Sequence, residues 1–240
     1  MSDKITFVYC ILLVGLLSGC AKKNYQVFPG SDPDPVPRSP FQKILENEGK
    51  WLLQDNVEGL IAEYKKLALK GNMEAMERLG YLYAPMHATL GGRMPNDYQE
   101  GISLQWYSRA AALGHVKAIR QVAYCYENGV DGEKNEQAAF QWYQQGYLKS
   151  PQSFALKMFH LYKEGIGCEK DLNRAEAFFL EAKDAAQKDG GLAYDLGSSY
   201  QMGSNGLPKD IAEAKYWFKT AIKLGAVYAE LDLTLIDDKR

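Results

Sequence analysis

Histidine and cysteine are scarce in this chain of 240 residues, with three and four copies. His87, His115 and His160 lie in different stretches and form neither an HxxxH nor an HExxH spacing. No two cysteines stand in a CxxC pair, so the usual zinc-ligand pattern is missing. There is no G-x-S-x-G elbow and no P-loop. The DPDP stretch at 32–35 sits among prolines and reads as linker, not as a carboxylate pair. The chain therefore reads as a non-enzyme, with no cofactor and no metal. Charge of one sign is also lacking. The net value of −2 leaves no basic footprint, which disfavours nucleic acid. Long apolar runs are absent but for one. It extends from Ile5 to Leu17, short of the roughly 20 residues a bilayer span needs.

That run has the flanks of a secretory signal: Lys4 before it and small residues after it. It ends in Leu17-Ser18-Gly19-Cys20, which resembles the lipobox of bacterial lipoproteins. In that family the signal is cleaved before the cysteine, whose thiol is diacylated and whose new amine is acylated. The resemblance implies lipidation at Cys20, and three acyl chains exceed what stable anchoring needs. Residue 21 is Ala, not the Asp that marks inner-membrane retention in the enterobacterial family. This implies the periplasmic face of the outer membrane. The alternative is an ordinary signal peptide with a chance cysteine. Residues 20–40 follow as a tether, with five prolines between Pro29 and Pro40 that favour extended polyproline II.

Beyond the tether, Cys125 and Cys168 remain. They either pair in an oxidising periplasm or stay as small buried hydrophobes, and their spacing does not decide.

Self-similarity organises the rest. The pairs Trp106-Tyr107, Trp142-Tyr143, Phe178-Phe179 and Trp217-Phe218 recur at near-constant spacing. Small residues sit three before each pair (Ser103, Ala139, Ala175, Ala214). Others sit four after its first member (Ala110, Gly146, Ala182, Ala221). These offsets describe one face of a helix. An earlier helix is marked by Leu79-Gly80-x-x-Tyr83, Val122-Ala123-x-x-Tyr126, Met158-Phe159-x-x-Tyr162 and Leu196-Gly197-x-x-Tyr200. Gly129, Gly165 and Gly203 read as its stops. The aromatic pairs are expected to be core, and Trp142→Ala to destabilise by about 3–5 kcal/mol.

The segments 118–146 and 192–226 carry a resemblance to the SEL-one-like repeat, a relative of the tetratricopeptide repeat. It covers roughly residues 56 to 240 and implies an all-α fold, an α/α solenoid of helix pairs. Phe159 departs from the pattern by taking a glycine slot, and residues 183–191 carry extra length. The expected organisation is a signal peptide at 1–19, the acylated tether at 20–40 and capping helices at 41–71. Four repeats at 72–225 and a cap helix at 226–240 complete it. Ser39-Pro40-Phe41-Gln42 has a capping-box pattern. Leu60, Tyr64, Leu67 and Gly71 fit a degenerate second helix.

Stacked helix pairs form a concave binding surface. In the tetratricopeptide relatives it is lined by non-core positions of the first helix. Carried over, this gives Glu77 and Tyr81, then Arg120, Tyr124 and Glu127. It continues with Leu156, His160 and Lys163, and ends with Tyr194 and Gln201. Tyr and Arg suit a protein interface; the alternative is a solvated helix face. A second candidate is the segment 84–100, which lengthens the first repeat's turn by seven residues relative to the second. Met86, His87, Arg93 and Met94 form its contact patch, unless the loop is a tolerated insertion.

Lipobox-bearing SEL-one-like proteins resemble the immunity proteins paired with antibacterial lipases of type VI secretion systems, phospholipase D types included. That resemblance implies a partner protein, a secreted lipase effector, neutralised by occlusion of its active site. A membrane tether would raise the local concentration of such an inhibitor. The alternative is an envelope scaffold or adaptor that assembles a secretion or cell-wall complex.

Overall fold

The computed structural model describes residues 39–54, 56–85 and 94–237, without the side chains of 53 and 237. The signal and tether readings, Cys20, and the loop residues Met86, His87 and Arg93 lie outside them. Among the described residues there are eleven helices and no strand. They fall into two compact units, divided between Ala110 and Ala111.

The first unit contains α1 (Pro40–Leu53), α2 (Val57–Ala68), α3 (Met73–Tyr83) and most of α4 (Ile102–Ala112). A full capping box opens α1. The Ser39 hydroxyl accepts from the Gln42 N–H at 3.2 Å, and the Ser39 N–H donates to the Gln42 side chain at 3.0 Å. Asn56 and Asn72 cap α2 and α3 in the same sense.

Glu48 of α1 is buried. Arg78 of α3 donates to both its oxygens at 2.5–3.0 Å, and the Tyr64 hydroxyl of α2 donates at 2.9 Å. Burial raises the Tyr64 pKa, and Glu48 adds to the rise. A buried carboxylate is tolerated only when paired and hydrogen-bonded in this way.

The second unit contains α5 (Val116–Asn128), α6 (Glu136–Lys149), α7 (Pro151–Glu164) and α8 (Leu172–Ala186). It ends with α9 (Gly190–Met202), α10 (Ile211–Lys223) and α11 (Ala229–Asp237). Helices α5 and α6, α7 and α8, and α9 and α10 pack as pairs. One turn recurs in all three. Gly129, Gly165 and Gly203 take φ of 67°, 75° and 67°, a left-handed geometry that a Cβ disfavours. Each donates to the carbonyl four residues back, and the next N–H donates to that same carbonyl. The turn closes when Asn135, Asp171 and Asp210 donate their N–H to the carbonyls of Tyr126, Tyr162 and Tyr200 at 2.7–3.0 Å. Their side chains then cap α6, α8 and α10.

The small residues flanking the aromatic pairs are buried throughout. The pairs are not equivalent. Trp217 and Phe218 are fully enclosed, whereas Trp142 is only half-buried and its neighbour Tyr143 is the core member. The expectation for Trp142 is therefore corrected: the second aromatic of the pair faces the first helix. The glycine slot explains this. A Cβ on Gly80 would lie 2.5 Å from the Tyr107 ring, and one on Gly197 would lie 2.8 Å from Phe218. At the third repeat the slot holds Phe159, and Phe179 shifts to pack ring against ring at 4.8 Å. Phe178 stacks on Tyr162 at 5.5 Å and meets Tyr147 edge-on at 5.0 Å. The extra length at 183–191 lengthens α8, burying Ala185 and Ala186.

Candidate functional site: a groove across three first helices

In the second unit α5, α7 and α9, the first helices of their pairs, contribute side chains to one groove of about 550 Å³. The spacing of residues within each repeat decides which side chains reach it. Six positions before the repeat tyrosine stand Arg120, Leu156 and Tyr194, and all three line the groove. Five before it stand Gln121, Lys157 and Asp195, which also line it. Tyr124 and Ser198 share the position two before.

Four of the sequence candidates thus come together: Arg120, Tyr124, Leu156 and Tyr194. Tyr124 is exposed. Arg120 extends over the Phe154 ring at 4.9 Å and donates to the Ser153 carbonyl at 2.8 Å. The Tyr194 hydroxyl donates to Asp232 of α11 at 2.8 Å. Burial raises its pKa, and Asp232 adds to the rise.

The column one residue after the repeat tyrosine does not join the groove lining. Glu127 accepts from the Tyr143 hydroxyl at 2.8 Å and from Lys157 at 2.7 Å. Lys163 donates to the Gly206 carbonyl at 2.5 Å, tying one repeat to the next. Gln201 is half-buried beyond the groove. His160 is half-buried as well, and its Nδ1 has no hydrogen-bond partner. Burial lowers its pKa, and Lys157 lowers it further.

In the first unit, Glu77 and Tyr81 lie half-buried on α3, with the Arg78 guanidinium 4.4 Å from the Tyr81 ring centre. Met94 is half-buried at the end of the inserted segment. The residues after it are fastened. Pro95 is buried, and the Asn96 N–H donates to Glu58 at 3.4 Å. Asp97 accepts from Lys65 at 2.7 Å and from the Tyr83 hydroxyl at 2.8 Å. The Lys65 hydrogen bond holds the Asp97 carboxyl below its usual range, opposed by partial burial and reinforced by Tyr83.

Asp195, Gln121 and Lys157 were missed because the carried-over pattern skips the position five before the tyrosine. The signal was available: on a helix the neighbour of a groove residue shares its edge when the groove is wide. Asp195 stands out. Its backbone carbonyl accepts from the Ser199 hydroxyl at 2.7 Å, and its carboxylate makes no hydrogen bond or ion pair with a described residue. Its carboxylate reaches solvent through the groove, yet the surrounding walls strip enough water to raise its pKa; Arg120 opposes the rise and Asp189 adds to it.

Cys125 and Cys168 are both free thiols, which settles the pairing left open by their spacing. Cys125 is buried, and burial pushes its thiol up to about 12, helped by Asp131. Among the described residues no group of three His, Cys, Asp or Glu side chains is placed to hold a metal ion. No helix among them is long and apolar enough to cross a membrane.

Comparison with known proteins fits this arrangement. The model of a family described as the Sel1 repeat matches residues 74–115, 116–150, 154–186 and 192–225, more than half of the chain. Chitin synthase regulatory factor 3 of Schizosaccharomyces pombe is 29% identical over 181 residues, covering 71% of this chain. The chain spans only 18% of that protein's length. The crystal structure of a Sel1 repeat protein from Oxalobacter formigenes is similar with a TM-score of 0.53 at 26% identity. The match covers 78% of this chain and 72% of that one. A Sel1 repeat protein from Klebsiella pneumoniae subsp. pneumoniae is similar with a TM-score of 0.45 at 16% identity, over 82% of this chain and 92% of that one. The fold class is accordingly an α/α solenoid of repeated helix pairs, a protein-interaction scaffold, and the chain belongs to the Sel1 repeat family.

Proposed function

We propose that this protein is a lipid-anchored periplasmic binding protein that neutralises a secreted antibacterial lipase by covering its active site. The observation that carries the binding part is the groove of the second unit. Its lining offers the exposed Tyr124 and Arg120 in place of a clustered set of catalytic groups. Such side chains are the usual anchors of protein interfaces. The location rests on the Leu17–Cys20 stretch, and the target class rests on the resemblance to immunity lipoproteins. A lipase attacking membrane lipids would meet an inhibitor tethered at the same surface, at high effective concentration.

The test is to direct such a lipase to the periplasm of cells with and without this protein. Survival should depend on its presence. Equal survival in both strains sinks the proposal. A second reading, an envelope scaffold, draws support from the similarity to a protein named as a regulatory factor of chitin synthase. Under that reading, pull-down from an envelope fraction would recover assembly or cell-wall enzymes and no lipase.

A further inference from the structure

The last helix keeps a seat that no described residue fills. Left-handed glycines precede α5 and α11: Gly114 and Gly225, with φ of 92° and 94°, set both helices in one register. Six residues after them stand Arg120 and Leu231, and ten after them Tyr124 and Leu235. The match of Tyr194-Asp195-Leu196 with Leu231-Asp232-Leu233 gives α9 the same register. The first of these columns is where one first helix holds the next. Arg120 donates to the Ser153 carbonyl of α7 at 2.8 Å and stands 4.9 Å from the Phe154 ring centre. Tyr194 donates to Asp232 of α11 at 2.8 Å, and its ring meets the Tyr228 ring at 4.9 Å. On α11 this column holds Leu231, and no further helix follows among the described residues. Leu231 is 62% exposed, Leu235 one turn later 48%, and Val227 one turn earlier 62%.

The other open side of α11 is polar. Where α7 and α9 set Phe159 and Gly197 against their own second helices, α11 has Thr234, with Glu230 one turn before it, both exposed. A terminal helix of a solenoid needs such a polar outer face. The Leu231 edge is the exception, more apolar than the same column at Arg120 and Tyr194. We infer that α11 packs against α11 of a second copy of this chain, antiparallel across a two-fold axis. Residues four apart form the ridge by which helices most often interlock. A centre at Leu233 sets Leu231 of each copy opposite Leu235 of the other, so one patch complements itself. Charge does not oppose the pairing. The Tyr194 hydroxyl holds Asp232 toward α9. The two Glu230 carboxylates lie at least about 9 Å apart along the axis, beyond the Debye length of physiological salt. A membrane surface fits this helix poorly, because Leu224 to Asp237 contains no Lys or Arg to meet anionic lipid. One helix per copy makes a small contact, in the class below about 1,200 Å² in total, so the dimer is reversible and not obligate. The inference does not depend on what the groove binds.

The test is sedimentation velocity on the full chain, in detergent whose density the buffer matches. The parent should pass from monomer to dimer across the micromolar range. Leu231→Glu and Leu235→Lys should each weaken the dimer at least about tenfold, because each sets two charges against leucine. Mixed in equal amounts, the two variants should recover the dimer. The mixed pair joins the new carboxylate to the new ammonium at one contact and keeps leucine on leucine at the other. Thermal melts of both variants should match the parent, since both sites are exposed in the single chain. A parent that stays monomeric at every concentration would leave the seat to another protein and overturn the inference. A dimer that both substitutions leave intact, or variants that do not recover on mixing, would overturn it as well.

Discussion

Asp195 and the two internal cysteines show how much a single environment decides. Asp195 is exposed, yet the groove walls take some water from its carboxyl and raise its pKa in the folded chain, an effect that solvent keeps small. The unfolded chain then ionises first, near pH 4, and the fold bears a penalty that grows as pH rises through that region and persists at neutrality. Asp195→Asn removes the charge without changing the shape. Its melting temperature at pH 7 should exceed that of the parent, and the gap should close below about pH 4. A lower melting temperature at pH 7 would mean that Asp195 has an internal partner. The thiols differ for a related reason. Cys125 is buried with its pKa pushed up to about 12, while Cys168 is partly exposed, its Sγ 3.6 Å from the Leu161 carbonyl. Thiolate and access together control reactivity. Iodoacetamide at pH 8 should label Cys168 in the native protein and leave Cys125 untouched until denaturant is added, as read by peptide mass spectrometry. Tyr124 makes the contrast with the core: exposed at 39%, it should lose partner affinity on Tyr124→Ala while thermal stability barely moves.

Between elements, the same polar device appears twice with identical spacing. Glu48, Tyr64 and Arg78 join α1, α2 and α3; Glu127, Tyr143 and Lys157 join α5, α6 and α7. In both sets the tyrosine lies 16 residues and the cation 30 residues after the glutamate. The helix pair α1–α2 therefore sits in the register of a repeat, although the family model begins at residue 74. Its aromatic pair has decayed to Glu63-Tyr64, which is why the sequence pattern there shows only a degenerate helix. The two triads differ in burial. Glu48 keeps 5% of its side-chain surface and Glu127 keeps 17%. Arg78→Met strands the more deeply buried carboxylate and should cost about 3–5 kcal/mol by urea denaturation. Lys157→Met should cost less, because water can reach Glu127. Equal losses would contradict the assigned burial. The glycine slots make a parallel case: Gly80→Ala drives a methyl into the Tyr107 ring and should cost about 1–3 kcal/mol, the range of overpacked cores.

At the scale of the whole chain, what was legible in the sequence was whatever the repeat wrote more than once. The small–aromatic–small face, the glycine stops and the first-helix tyrosines each recur, so their period reveals helix pairs without any contact being known. What recurs only in space stayed hidden. Trp142 and Tyr143 are adjacent and chemically alike, and only the direction of the partner helix tells which is buried. Asp195 shares its column with Gln121 and Lys157, three residues with no common chemistry, so no pattern marks them as one groove edge. The lipid-attachment signal proposed at Cys20 is of another kind, because it would be an address and not a fold. Its consequence is tested by two substitutions that leave residues 39–237 untouched. Cys20→Ser should remove the protein from the membrane pellet or leave its signal uncleaved, since the thiol that would carry the acyl chains is gone. Ala21→Asp should keep lipidation but move the protein from the outer-membrane to the inner-membrane fraction of a sucrose gradient, as the retention rule of enterobacterial lipoproteins implies. If the protein is an inhibitor whose potency comes from local concentration, protection against a periplasmic lipase should fall in the Cys20→Ser strain even where the purified variant binds the lipase with unchanged affinity. An unchanged fractionation pattern for both variants would remove the anchor, and with it the reason for placing the binding groove at a membrane.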